Sequence, residues 1–206
     1  MKKPTVAIIY SGYGNIIPII NILKMNAIPY KVIEHEDNVT EYDKIIIPGV
    51  GAFDPFIEKL KSKGLDQIIL TAWQNNKPIL GICIGAQILG KSSEEGNLKG
   101  LGILDMDVKK FNIENNNIRI PHMGWNQVNA LSSSSLLSEI DEDHRFYFVH
   151  SYHFVTNQQN IVLSTTQHGY DFPSIIADNN VYAVQFHPEK SQKHGMQLLK
   201  NFSLSC

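Results

Sequence analysis

Residues 78–90 read PILGICIGAQILG, and the reading of this stretch decides the fold. An apolar run, Pro78 to Ile82, suits a buried strand, and the residues from Ile84 onward suit a helix, so Cys83 falls on a sharp turn between the two. Glycines at both two-residue offsets, Gly81 and Gly85, follow from that geometry, because backbone passes so close to the turn residue that a Cβ does not fit. The helix after the turn aims N–H groups and the positive end of its dipole at the sulfur, which supports negative charge there. A free cysteine is most often an inert buried residue. The elbow pattern reverses that expectation and makes Cys83 the candidate nucleophile.

Outward from the elbow, the first half of the chain alternates strand-like runs with helix-like segments. Thr5 to Tyr10, Lys44 to Ile47 and Pro78 to Ile82 read as strands; Ile16 to Met25, Phe56 to Lys63 and Leu65 to Gln74 read as helices. That rhythm, with runs as apolar as IIIP and PILGI, predicts parallel strands covered on both faces by helices. The second half crowds short strands at Val108 to Phe111, Ile118 to Ile120, Phe146 to His150, Ile161 to Thr165, Ser174 to Ala177 and Val181 to Phe186, then closes with a helix from Ser191 to Phe202. Asn115 to Asn117 reads as a hairpin turn and Ser132 to Ser135 as a polar helix start. The expected fold is α/β: an open, mostly parallel twisted sheet flanked by helices, with added antiparallel strands, in a single domain spanning 1–206.

Bulk properties narrow the function. The 206 residues are 43% hydrophobic, enough for one sizeable core, and 18 Lys plus Arg against 20 Asp plus Glu leave a net charge of −2. No basic stripe with interleaved aromatics marks a nucleic-acid face, and no apolar run approaches membrane-spanning length, so neither nucleic acid nor membrane is an expected partner. The first apolar run is too short for a secretory leader, and two cysteines, Cys83 and Cys206, make a disulfide framework improbable, which together suit the cytoplasm. The eight histidines form no ligand-spaced cluster with cysteine or carboxylates, so no metal is implied. No dinucleotide fingerprint or Walker A pattern points to a cofactor, and none is expected.

A cysteine nucleophile needs a proton shuttle. In VQFHPEKS, His187 follows a predicted strand end and Glu189 lies two residues on, close enough to orient the imidazole as a triad acid does. A turn histidine is more often only solvated, but the two strand ends together agree with the rule that open α/β sheets do chemistry beyond the carboxyl ends of their strands. PGVGAF, residues 48–53, follows the buried strand KIII. It is either an ordinary turn or a loop turning N–H groups toward an oxyanion, and its expected place beside the elbow strand favours the second.

In order, PGVGAF, GICIGAQ, PHMGWN, YFVHSY and QFHPEKSQ closely resemble the class I (triad) glutamine amidotransferases, and within them the glutaminase subunits of imidazole glycerol phosphate synthase, over nearly the whole chain. The resemblance implies that Cys83 attacks the side-chain amide of L-glutamine, His187 shuttles protons and Glu189 orients His187, with glutamate and ammonia as products. It implies N–H donors for the oxyanion at Val50, Gly51 and Ile84, a glutamine pocket using Gly51, Gln87, Ser151 and Tyr152, and a partner face including Asn15, Trp125, Tyr147 and Lys190. Trp125, after Gly124, is otherwise readable as core. The partner in that family is a (β/α)₈-barrel cyclase subunit, joined as a heterodimer, which receives ammonia to make imidazole glycerol phosphate for histidine biosynthesis. Ser11 in YSGYGN stands where the family usually has an acid, and Ala86 where Met is common. A paralogue supplying ammonia to another synthase, as in sugar amidination, is the alternative. A non-catalytic module on the same fold sits poorly with an intact Cys83, His187 and Glu189.

Overall fold

The computed structural model describes residues 3–35, 41–113, 118–141 and 144–206. The core of the fold is an eight-stranded sheet with the order β2-β1-β3-β4-β12-β11-β10-β7. Its parallel part comprises β1 (Val6–Ile9), β2 (Tyr30–Ile33), β3 (Lys44–Gly49), β4 (Ile79–Cys83) and β12 (Val181–Val184). Its antiparallel extension comprises β11 (Tyr170–Asp178), β10 (Val162–His168) and the short β7 (Asn129–Ala130). Two ribbons add to it: β5 (Asp107–Lys110) pairs with β9 (Tyr152–Val155), and β6 (His122–Gln127) pairs with β8 (Arg145–His150).

Every residue of β1, β3 and β4 is buried because helices cover both faces. Alternation sorts the side chains. Ala7, Ile9, Ile45 and Ile47 pack with α2 (Phe53–Ser62) and α3 (Leu65–Gln74), whereas Val6, Ile8 and Ile46 pack with α1 (Ile17–Met25) and α5 (Gln192–Ser205). A one-residue slip of β1 or β3 would exchange the two sets, so the register is strongly held.

Local expectations hold for most elements, but β2, β7 and β9 have no counterpart among the expected strands. Tyr30–Ile33 forms an edge strand whose polar-interrupted YKVI pattern is too short to stand out. Ile118 to Ile120 is not a strand; Pro121 has no N–H to donate to a ladder, and pairing starts at His122. The helix after the elbow, α4, covers only Ile84–Gln87 before the chain turns away at Ile88, so one turn of dipole faces the sulfur. The serine patch does start a helix, though only a 3₁₀ turn, Ser135–Leu137, capped by Ser134 Oγ, which accepts the Leu136 N–H at 3.3 Å. Asn115 to Asn117 lie outside the described residues.

Candidate active site

Three adjacent parallel strands, β3, β4 and β12, bring their carboxyl ends to one place. Gly49 pairs opposite Cys83, and Val184 opposite Ile82. The residues that follow those strands, Val50–Gly51, Ile84 and Gln185–His187, therefore surround the cysteine. Cys83 itself has φ 54° and ψ −114°, a conformation costly for any residue with a Cβ and found where surrounding structure enforces it. The flanking glycines are sterically required. A Cβ on Gly85 would stand 2.0 Å from the Ile47 carbonyl oxygen, and one on Gly81 would stand 2.6 Å from both the Gly85 oxygen and Ala86 Cα. Cys83 opens, 8% exposed, into a cleft of about 200 Å³.

His187 borders the same cleft and is 1% exposed. Its Nδ1 lies 2.7 Å from Glu189 Oε1. The turn bearing both residues is tied to β8: the His187 N–H donates to the Tyr147 carbonyl at 2.9 Å, the Tyr147 N–H donates to Ser191 Oγ at 2.9 Å, and Ser191 Oγ donates to the His187 carbonyl at 2.6 Å. Burial presses His187 toward its neutral form, but the charge of Cys83, its hydrogen bonding and the Glu189 carboxylate outweigh burial and push the imidazole up to about 10. Nε2 has no hydrogen bond of good geometry among the described residues, so charge attraction, more than a formed bond, links it to the sulfur. At neutral pH the imidazole thus holds a proton within the site.

Val50 and Gly51 line the cleft with Ile84, as do Gln87, Ser151 and Tyr152. Gly51 has φ +107°, which glycine alone adopts without strain. Three further contributors escaped the sequence reading. Glu95 lines the cleft and accepts the Phe53 N–H at 2.9 Å; burial pushes its carboxyl up against that bond, with Asp54 adding to the rise. Nothing in SSEEG distinguished it from Glu94. Gln185, fully buried, accepts from Gln87 Nε2 at 3.1 Å and places its own Nε2 3.9 Å from Cys83 Sγ. His150 borders the cleft from the end of β8.

The residues assigned to a partner face divide. Trp125, 44% exposed on the outer side of β6, meets Tyr147 edge-on at 6.1 Å, and Lys190 Nζ lies 5.8 Å over the Tyr147 ring. This cluster is on the surface, so Trp125 is not core. Asn15 is exposed on the loop before α1, where its Oδ1 accepts the Ile17 N–H at 3.0 Å. The adjacent Gly14 abuts the Val50 side chain, to which an added Cβ would come within 3.4 Å.

The model of the class-I glutamine amidotransferase family matches residues 16–206. The imidazole glycerol phosphate synthase subunit HisH 2 of Pseudomonas aeruginosa is 42% identical over 96% of this chain and 98% of its own length. The HisH subunit of Bdellovibrio bacteriovorus is 44% identical with the same coverage. Among solved structures, PurLQS from Thermotoga maritima superposes with a TM-score of 0.74 at 17% identity, covering 98% of both chains. A glutamine amidotransferase from the same organism superposes with 0.68 at 18% identity, covering 98% of this chain and 83% of its own. At such identities the structures speak for the fold alone. The chain belongs to the class-I glutamine amidotransferases and, among them, to the family of the imidazole glycerol phosphate synthase HisH subunits.

Proposed function

We propose that the chain, acting as one amidotransferase domain, is the glutaminase subunit of imidazole glycerol phosphate synthase. The observation that carries this is the convergence of an elbow cysteine and a His187–Glu189 pair on one cleft, in a chain over 40% identical along nearly its full length to subunits of that name. Cys83 Sγ attacks the side-chain amide carbon of glutamine, and N–H groups at Val50, Gly51 and Ile84 take the developing oxyanion, a role in which one donor is worth ~10²- to 10³-fold in rate. The His187 proton passes to the amide nitrogen, the C–N bond breaks, and ammonia leaves a γ-glutamyl thioester. Water then attacks the thioester as His187 takes its proton, and glutamate departs with the sulfur restored. Glu189 holds the imidazole in place through Nδ1. Gly51, Gln87, Ser151 and Tyr152 grip the substrate, and the Glu95 carboxylate suits its α-ammonium group.

The partner of this reading is a (β/α)₈-barrel cyclase subunit docked as a heterodimer on the face that carries Trp125, Tyr147, Lys190 and Asn15. Ammonia passed to it is used to form imidazole glycerol phosphate in histidine biosynthesis. Both cysteines are free, as suits the reducing cytoplasm. Ser11 supports a second reading, the same glutaminase serving another synthase. It is buried at the carboxyl end of β1, its Oγ 3.4 Å from the Tyr13 N–H, in the loop where the family usually has an acid.

Cys83→Ala tests the glutaminase reading. Glutamine hydrolysis is expected to fall to background, while synthesis by the complex fed with ammonium salt stays within about twofold of wild type, because external ammonia bypasses this subunit. Retained hydrolysis rejects the assignment of the nucleophile. Failure of the ammonia-fed control with the cyclase subunit points to the second reading.

A further inference from the structure

His122 and His150 take no part in the proposed chemistry, yet they are only 4% and 6% exposed and face each other across β6 and β8. They form part of a row. Asn126 Nδ2 lies 3.1 Å from His122 Nε2, His122 Nδ1 lies 3.0 Å from His150 Nε2, and His150 Nδ1 lies 2.8 Å from the Tyr152 carbonyl oxygen. The protons of this row can be placed by logic. A carbonyl oxygen only accepts, so His150 carries its hydrogen on Nδ1; in a neutral ring its Nε2 is then a lone pair, and His122 Nδ1 must donate to it. That leaves His122 Nε2 as a lone pair.

The other end gives the same answer independently. The Gln127 N–H donates to Asn126 Oδ1 at 2.8 Å, so the amide nitrogen is the atom turned toward His122, and it also donates to the Gln167 carbonyl at 2.8 Å. One arrangement satisfies every partner: two neutral imidazoles, both protonated on Nδ1. A second proton on either ring would set N–H against N–H. Burial disfavours that proton too, holding His122 down to about 3 and His150 well below its ordinary value, with His153 and His168 as the nearby titrating groups.

The row ends in the cleft. The Tyr152 carbonyl also accepts from Gln87 Nε2 at 3.2 Å, and Gln87 in turn holds Gln185 against Cys83. Its other end is β6, whose outward side chains, Met123 and Trp125, are exposed. We propose that His122 and His150 are positioning residues that lock the Ser151–Tyr152 edge of the glutamine cleft to strand β6, so that the edge gripping the substrate and the strand presenting Trp125 are held as one unit. The functional part rests on the glutaminase reading above.

Two measurements test it. Long-range ¹⁵N–¹H NMR of the wild-type chain at neutral pH is expected to show both histidines neutral and Nδ1-protonated, and an Nε2-protonated ring at either position overturns the assignment. In the holo-complex, His122→Phe and His150→Phe are each expected to raise KM for glutamine about tenfold, the cost of one orphaned buried partner, with kcat within about threefold of wild type. His122→Asn and His150→Asn, whose amide nitrogen replaces Nδ1, are expected to recover most of that loss. Unchanged KM in the Phe variants beside normal wild-type hydrolysis overturns this proposal and leaves the glutaminase reading intact. Absence of glutamine hydrolysis by the wild-type complex overturns the glutaminase reading instead.

Discussion

The floor of the cleft and its wall are built on different principles. The floor, at the carboxyl ends of β3, β4 and β12, is backbone pressed on backbone: Gly81 and Gly85 have no room for a Cβ, and Cys83 is held in a strained conformation by what surrounds it. The wall, from the β6–β8 and β5–β9 ribbons, is side chain against side chain. Phe111 lies within 6.4 Å, ring to ring, of His122, His150, His153, His168, Tyr170 and Phe172, and hydrogen bonds among imidazoles and carbonyls fill the gaps. Steric exclusion makes the floor intolerant of added atoms, whereas buried neutral histidines make the wall intolerant of added protons. The two fail under different insults.

The largest effect on stability is expected in the floor. In Gly85→Ala the new Cβ would lie 2.0 Å from the Ile47 carbonyl oxygen, which only backbone movement between β3 and the elbow relieves. A loss above ~3 kcal/mol is expected in denaturant unfolding. A near-neutral result would break the contrast, since the floor would then yield as readily as the wall.

Acid probes the wall. Burial is the leading cause that lowers His122, His150, His153 and His168 in the folded chain. Their folded values lie below the unfolded one, so the unfolded chain binds more protons once the pH drops under about 6.5. The stability they contribute is complete above that pH and drains away as pH falls toward about 3, the folded value of His122. His122 alone should account for roughly 1–2 kcal/mol between pH 6.5 and 5, with His150 adding in the same direction. Urea midpoints measured across this interval check the slope. A flat profile would mean that the wall histidines titrate freely.

The smallest change in stability is expected at the rim. Trp125 is 44% exposed, so Trp125→Ala should shift unfolding of the isolated chain by less than about 1 kcal/mol. On the proposed docking face, affinity for the partner synthase subunit should fall by tenfold or more, as at aromatic interface anchors generally. Calorimetric titration beside thermal melting separates the two. A large melting shift with unchanged affinity would return Trp125 to the structural wall.

Sequence reasoning reached the floor and largely missed the wall. The elbow was legible because its requirements lie within five residues: a buried strand, a turn, and glycines on either side of Cys83. His187 and Glu189 were legible for the same reason, since their 2.7 Å contact joins residues two apart. Glu95 and Gln185 were not, because their roles depend on Phe53, Gln87 and Cys83, each brought near by the sheet. The length of α4 was not legible because its end is set by the path to Ile88 and beyond, which the local apolar pattern does not encode. β2 escaped because an edge strand buries only part of its surface.

By itself, then, the amino-acid sequence determined the parallel βαβ frame, the strained turn at Cys83 and the short-range pair beside it, since periodicity, glycine placement and adjacent residue types are local quantities. Tertiary structure alone decided which histidines stay neutral, which carboxylate lines the cleft, and how β6 is tied to the Tyr152 carbonyl. Those outcomes depend on burial and on hydrogen-bond partners 28 residues apart for His122 and His150, and 98 apart for Gln87 and Gln185. A pattern read along one segment holds no information about which distant group will be waiting when the chain folds.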